Sequence, residues 1–384
     1  MKIINYGGQS IDHRDEKSVL NVLKNKLLTT GPKVKLFEQN IKKFVESRYA
    51  ISCNSGTSAI HLALLSLNLK EKSIVIMPCV NFISAYNLCK TMNLRIFFAD
   101  VDSFTGQITP DLIKKCIKKN NLKKIDLLFT MHLGGYPENI EKFFELKKKY
   151  KFKIIEDACH SFGSRYKIKN KIYKVGGCMH ADISTFSFHP LKSITTGEGG
   201  AVTTNNSEYA KKILMIRSHE ILKKKKHWDY DIKFLGFNYR LSDINCSLGI
   251  SQLSKISKFL KKRESIYYFY KKKLSGISPY IKIPIYNKNL KPSYHLILLN
   301  IDFQKFKKTK NQFLEYMKKR NILLQYHYIP IYKFSICKKS GKNYINAEKY
   351  YKNTVSLPVH LNLTKKDLQK IINNIFNFFK IKKI

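Results

Sequence analysis

A chain of 384 residues with 43% hydrophobic and 12% aromatic content can bury a substantial core and is expected to split into two lobes. No run approaches the roughly 20 apolar residues of a membrane-spanning helix, and Met1-Lys2-Ile3-Ile4-Asn5-Tyr6 lacks a signal-peptide core, so a soluble cytoplasmic protein is expected. The formal charge of +44 would suit nucleic acid, but the lysines are spread along the whole chain, so compositional bias is the better reading and no nucleic-acid partner is expected.

Between about residues 50 and 205, short apolar runs alternate with helical patterns, which predicts a mainly parallel sheet flanked by helices. The stretch Cys53-Asn54-Ser55-Gly56-Thr57-Ser58-Ala59-Ile60-His61 leads small residues into a helix with apolar Ile60, Leu62, Leu64 and Leu65. Strands are predicted at Ile74–Met77, Arg95–Phe98, Ile125–Phe129, Lys153–Glu156 and Ser184–Phe188, with a sixth at Ala201–Thr204. Ligands in open α/β sheets collect at the carboxyl ends of strands, so site residues are expected just after these runs. From Leu241 to about Leu274 the spacing of Leu248, Ile250, Leu253, Ile256 and Leu260 predicts one helix linking the lobes, its charged face toward solvent. A strand at Tyr294–Leu299 and helices near Lys310–Lys319 and at Lys365–Phe379 then read as a smaller α+β domain. The division expected is 1–250 for a large domain and 251–384 for a small one.

The eight cysteines stand singly, with no Cys-x-x-Cys pair and no histidine at zinc spacing, so no structural metal is expected. The runs Lys147-Lys148-Lys149 and Lys223-Lys224-Lys225-Lys226 read as solvated faces or loops, although a basic surface could steer an anionic nucleotide substrate toward a cleft.

Three segments carry chemistry. In Thr185-Phe186-Ser187-Phe188-His189-Pro190-Leu191-Lys192, followed by Thr195-Thr196-Gly197-Glu198-Gly199-Gly200-Ala201, an apolar strand delivers a hydroxyl and then a lysine before a glycine-rich return. A lysine so placed can form a Schiff base with an aldehyde cofactor once its amine sheds its proton; only this context separates Lys192 from the chain's many solvated lysines. In Ile154-Ile155-Glu156-Asp157-Ala158-Cys159-His160, an acid ends a hydrophobic strand. A carboxylate there could keep a pyridine nitrogen protonated, and it could equally cap a helix or turn. The Ser55-Gly56-Thr57-Ser58 helix start offers N–H groups to a phosphate, to which Ser187 could add a hydroxyl, though simple capping is the commoner use of such residues.

Together these segments resemble the DegT/DnrJ family of sugar-nucleotide aminotransferases, which has the aspartate aminotransferase fold of pyridoxal 5'-phosphate (PLP) enzymes, fold type I. The likeness spans nearly the whole chain, from Tyr6-Gly7-Gly8-Gln9-Ser10-Ile11 and Leu28-Thr29-Thr30-Gly31-Pro32 onward. Within the family, His189-Pro190-Leu191-Lys192 and Arg217-Ser218-His219 are most similar to the branch that serves pseudaminic acid synthesis. The resemblance implies that Lys192 bonds the cofactor aldehyde and that Asp157 pairs with the pyridinium nitrogen. It implies that His160 holds the glutamine-or-histidine position beside the ring hydroxyl, that Phe82 stacks on the ring, and that Gly56, Thr57, Ser58 and Ser187 form the phosphate cup. It further implies a homodimer in which Asn238 reaches the neighbouring active site. Glutamate and a 4-keto-6-deoxy UDP-sugar are the implied substrates, with Lys192 shuttling the proton.

Three departures from the family's wording are Glu220 in place of a glycine, Cys246-Ser247 in place of two alanines, and Leu361 in place of a proline. Leu361 falls in the second lobe and touches expected substrate specificity. A PLP-dependent dehydratase, which carries histidine at the lysine position, is disfavoured by Lys192. Aminotransferases for GDP- or dTDP-linked keto sugars share every cofactor motif and remain open, as does a regulatory or nucleic-acid-binding protein on a PLP scaffold.

Overall fold

The structure is a computed structural model that describes residues 2–24, 27–224, 226, 228–337 and 344–381. Lys225, inside one of the basic runs, lies outside the described residues. In chain order the first lobe contains β1 (Tyr49–Cys53), β2 (Ile74–Pro78), β3 (Arg95–Ala99), β4 (Leu127–Met131) and β5 (Lys153–Asp157). It continues with a hairpin, β6 (Arg165–Ile168) and β7 (Lys171–Lys174), then β8 (Ile183–Ser187) and β9 (Gly200–Thr204). Seven of these form one sheet in the order β1-β9-β8-β5-β4-β2-β3. Pairing is parallel from β3 through β2, β4 and β5 to β8, and β9 lies antiparallel between β8 and β1.

Helices cover both faces, and the side-chain alternation of each strand shows how. Val75 and Met77 of β2 pack with Ile60 and Leu62 of the helix Gly56–Ser66, while Ile76 between them packs with Ile113 and Phe143 of helices on the other side. A strand buried on both faces reads as an unbroken apolar run, which is why β2 and β5 were visible in the sequence. The parallel character agrees with expectation, except that the strand predicted at Ala201 is the antiparallel member. The strand predicted at Ile125 starts two residues later, because Asp126 sits at the sheet's end with its carboxylate accepting the Ile74 N–H at 2.8 Å.

A second hairpin, β10 (Ile221–Lys223) with β11 (Tyr230–Ile232), precedes the second lobe. There β12 (Ile281–Lys282) and β13 (Leu290–Lys291) lead to β14 (Ile297–Ile301) and β15 (Thr354–Leu357). The order β12-β14-β15 makes a three-stranded antiparallel sheet, whereas β13 joins β6. Its core joins Leu299 and Ile301 with Phe313, Ile371, Ile375 and also Ile4 from the chain's start. The strand expected from Tyr294 begins at Ile297, because Tyr294 has φ 51, outside the strand region.

The single helix expected from Leu241 to Leu274 is two, Asp243–Ser254 and Ile256–Leu274, separated at Lys255. The Lys255 N–H bonds back to the Gln252 carbonyl, and its ammonium is held by Asp12 at 2.8 Å and Asp15 at 2.7 Å. Nor does the charged face lie wholly in solvent, since Arg263 is 2% exposed. Among the described residues, no helix is long and apolar enough to cross a membrane, and no cluster of three His, Cys, Asp or Glu could hold a metal. All eight cysteines are free thiols.

One buried acid within the sheet has a measurable consequence. Ser184 Oγ donates to Glu156 at 2.6 Å, and His132 Nε2, otherwise unpartnered, lies 3.8 Å from the other carboxyl oxygen. Ser161 Oγ donates to the Ala158 carbonyl, so His132 Nδ1–H donates to Ser161 and leaves Nε2 as a bare acceptor. Burial pushes Glu156 up to about 7 and His132 down to about 3, so a protonated Glu156 faces a neutral imidazole. An acid whose folded pKa is raised stabilises the fold below its ordinary pKa of 4.5, and that stability is lost as pH rises toward 7. Thermal or urea unfolding followed from pH 5 to pH 8 is expected to show wild type losing about 3 kcal/mol relative to Glu156→Gln across this window; parallel pH profiles would refute the assignment.

Candidate active site

The carboxyl ends of β1, β5 and β8 converge on one cavity of about 440 Å³. β1 leads into the helix Gly56–Ser66, whose first turn is capped by Ser55 Oγ accepting the Ser58 N–H at 3.0 Å. Gly56 and Thr57 line the cavity beside Ser187 at the end of β8. A Cβ on Gly56 would lie 2.7 Å from Ser187 Cβ, so a glycine is needed for the helix start to approach that strand end. The result is a notch of backbone N–H groups at a positive helix end, with a hydroxyl facing it. Ser58 is not part of the lining: its hydroxyl turns to Asn54 Oδ1 at 2.6 Å.

Asp157, the last residue of β5, and Lys192, on the connection after the neighbouring parallel strand β8, line the same cavity. The buried Asp157 carboxylate accepts the Cys159 N–H at 3.1 Å. Burial raises its pKa, with the Cys159 hydrogen bonds and the Lys192 charge opposing the rise. Burial lowers the pKa of Lys192, while Cys159 and Asp157 favour its charged form and Arg263 disfavours it. An amine drawn toward neutrality is closer to a nucleophile than the solvated lysines elsewhere.

His160 is buried, and burial together with Lys192 and His327 keeps it neutral. Its Nδ1 accepts the Gly134 N–H at 3.3 Å, which places the ring proton on Nε2, 2.9 Å from Tyr328 Oη. Tyr328 thus receives a hydrogen bond and retains its own proton to give into the cavity, and burial holds that phenol well above its ordinary pKa. Phe82 stands at the mouth, 51% exposed, with its ring 5.8 Å from that of Tyr328. Asn238 is exposed and outside the cavity of its own chain, with its carbonyl accepting from Asn54 Nδ2 at 3.2 Å.

Several lining residues were not anticipated: Tyr6, His295, His327 and Tyr328. The His295 ring lies 4.3 Å from that of His160, and His327 Nδ1 is 2.8 Å from Ser356 Oγ. His295, His327 and Tyr328 come from the second lobe, where no local motif marks them, and Tyr6 from the chain's start, in a segment that carried the family likeness but no site role. The one sequence signal is the pairing of His327 and Tyr328 beside Pro330 in an otherwise apolar stretch.

Residues 9–376 match the DegT/DnrJ/EryC1/StrS aminotransferase family. The chain is 38% identical over 386 residues to the UDP-4-amino-4,6-dideoxy-N-acetyl-β-L-altrosamine transaminase of Campylobacter jejuni, with 99% of each chain covered. To the transaminase of the same name from Helicobacter pylori it is 34% identical over 392 residues, covering 100% of both. Among solved structures, Helicobacter pylori PseC, an aminotransferase involved in the biosynthesis of pseudoaminic acid, superposes with a TM-score of 0.90 at 32% identity, covering 99% of this chain and 100% of that one. With the sheet order, the cavity at its strand ends and these likenesses in agreement along the whole chain, the protein is an aminotransferase of the aspartate aminotransferase fold and belongs to the DegT/DnrJ/EryC1/StrS family.

Proposed function

We propose that the cavity binds PLP and that the enzyme moves the amino group of glutamate to a 4-keto-6-deoxy nucleotide sugar. On the names of its relatives, the acceptor is UDP-2-acetamido-2,6-dideoxy-β-L-arabino-hexos-4-ulose of pseudaminic acid biosynthesis. The observation that carries the reading is that one amine, Lys192, and one buried acid, Asp157, share a cavity that the Gly56–Ser187 notch also lines. Those groups fit a small phosphorylated heterocycle: an anion-binding helix start, an acid for a ring nitrogen and a lysine for an aldehyde.

PLP, when bound, supplies an aldehyde and an electron-accepting ring. Gly56 and Thr57 would hold its phosphate through backbone N–H groups, assisted by the Ser187 hydroxyl, while Ser58 keeps to the helix cap. Asp157 would keep the ring nitrogen protonated, Phe82 would cover a ring face, and His160 with Tyr328 would address the ring hydroxyl. Lys192 would bond the aldehyde, and its Nζ, once free, would carry the proton from the amino acid's α-carbon to the cofactor. In the return half it would carry a proton from the cofactor to the sugar carbon that receives the nitrogen.

The proposal includes a homodimer in the cytoplasm, with Asn238 reaching the partner's phosphate site. Trp228, Phe234 and Leu235, at 65%, 71% and 88% exposure, precede Asn238 in the chain, in the segment that such a partner would cover. The proposed lobes are 1–250 and 251–384, the first supplying most of the cofactor site and the second supplying Tyr328 and a wall for the sugar.

Two outcomes follow. Lys192→Ala is expected to retain PLP but to lose its borohydride-reducible bond and roughly 10²–10⁴-fold in kcat; glutamate-dependent turnover of a UDP-, GDP- and dTDP-linked keto-sugar panel checks this, and near-normal turnover would defeat the reading. Mixing Lys192→Ala chains with Asn238→Ala chains is expected to restore activity above either parent, because each heterodimer contains one site free of both lesions. Equal inactivity of the mixture, with heterodimers demonstrated by mass, would remove Asn238 from the partner's site.

A further inference from the structure

Arg263 lies on the helix Ile256–Leu274, is 2% exposed and, among the described residues, pairs with no carboxylate. Its Nε has no hydrogen-bond partner. Burying a cation in this way is costly, and an apolar side chain of similar volume would ordinarily serve packing at least as well. The guanidinium instead gives its hydrogens to three backbone carbonyls. Nη1 donates to Val359 at 3.1 Å and to His295 at 3.5 Å, and Nη2 donates to Lys192 at 3.5 Å.

All three acceptors belong to residues that line the cavity, and they come from separate parts of the chain. Lys192 is on the connection from β8 to β9, His295 on the approach to β14, and Val359 just after β15. One rigid, planar fork therefore ties the segment that carries the amine to two segments of the second lobe, an arrangement that a flexible point-charge ammonium could not reproduce.

We propose that Arg263 is a positioning residue for amino transfer: by spanning the carbonyls of Lys192, His295 and Val359 it fixes the amine's backbone against the second-lobe wall. The proposal rests on the reading of Lys192 as the transferring amine. Its charge has a second effect, because a fixed cation disfavours protonation of a nearby amine. The other titratable groups that line the cavity with Lys192 are Tyr6 from the chain's start, Asp157, Cys159 and His160 from the end of β5 and the turn after it, His189 and Glu198 from its own connection, and His295, His327 and Tyr328 from the second lobe.

Two full-length variants separate span from charge. Arg263→Lys keeps a cation but not the fork, and Arg263→Met keeps neither. Competitive acetylation of the cofactor-free protein, read at Lys192 by mass spectrometry across pH, reports the amine without any turnover, and steady-state kinetics of the PLP-loaded enzyme report the transfer. Arg263→Lys is expected to leave the acetylation midpoint near wild type while kcat falls roughly a hundredfold with little change in the KM for glutamate. Arg263→Met is expected to show the same loss in kcat and a midpoint moved to higher pH.

If both variants melt earlier but keep wild-type kcat and acetylation curves, Arg263 is only structural and the proposal fails. Should Arg263→Met not fold, the kcat of Arg263→Lys decides alone. A wild-type protein that forms no borohydride-trapped adduct between PLP and Lys192 would overturn the functional reading itself, and with it this role. An adduct in wild type with unaltered variants overturns the Arg263 role alone.

Discussion

An amine and an acid must share a nearly dry space without simply neutralising one another as an ion pair, and the rest of the structure answers to that requirement. Asp157 and Lys192 both pay for burial, each shifted toward its uncharged form, and each is partly recharged by the other. Parallel strands meet the requirement because they end side by side, so β5 and β8 deliver an acid and a lysine-bearing connection to one place. Three neutral histidines complete the surroundings. His160, His295 and His327 are all held below their ordinary pKa by burial, so no imidazolium competes for the acid.

Much of this was readable in the sequence wherever chemistry and local pattern coincide. Lys192, Asp157, Ser187 and Gly56 each terminate or follow an apolar strand, and they meet at the cavity. Ser58 belongs to the cap rather than the lining, because the hydroxyl of a residue inside a first helical turn reaches back to the preceding loop more readily than outward. What was hidden depends on contacts between remote segments. Tyr328, His295 and His327 reach the cavity only through the docking of the second lobe. Arg263 looks like one more base on a lysine-rich helix until its carbonyl partners are seen. The break at Lys255 was equally invisible, since apolar spacing continues across it.

The departures from the family's wording find ordinary surroundings. Glu220 has φ 58, the left-handed region in which a glycine would be comfortable, and Gly236 packs directly against the backbone of His219 and Glu220. The glutamate thus bears a local cost at the base of the exposed β10–β11 hairpin, away from the cavity. Cys246 and Ser247 are buried in the helix Asp243–Ser254, where Ser247 bonds within its own helix through Ile244 and receives Ser18 on its carbonyl. Leu361 packs at the edge of the first-lobe core that contains Phe188 and Phe162.

The fixed proton on His160 also makes sense of a substitution pattern. With Gly134 donating on one side and Tyr328 receiving on the other, the position requires a planar group that is an acceptor at one end and a donor at the other. A glutamine amide has the same polarity, oxygen toward the glycine and nitrogen toward the phenol. Histidine and glutamine are therefore interchangeable in direction at this spot. A carboxylate, with two acceptor ends, would reverse the Tyr328 hydroxyl and turn its lone pairs, rather than its proton, toward whatever the cavity holds.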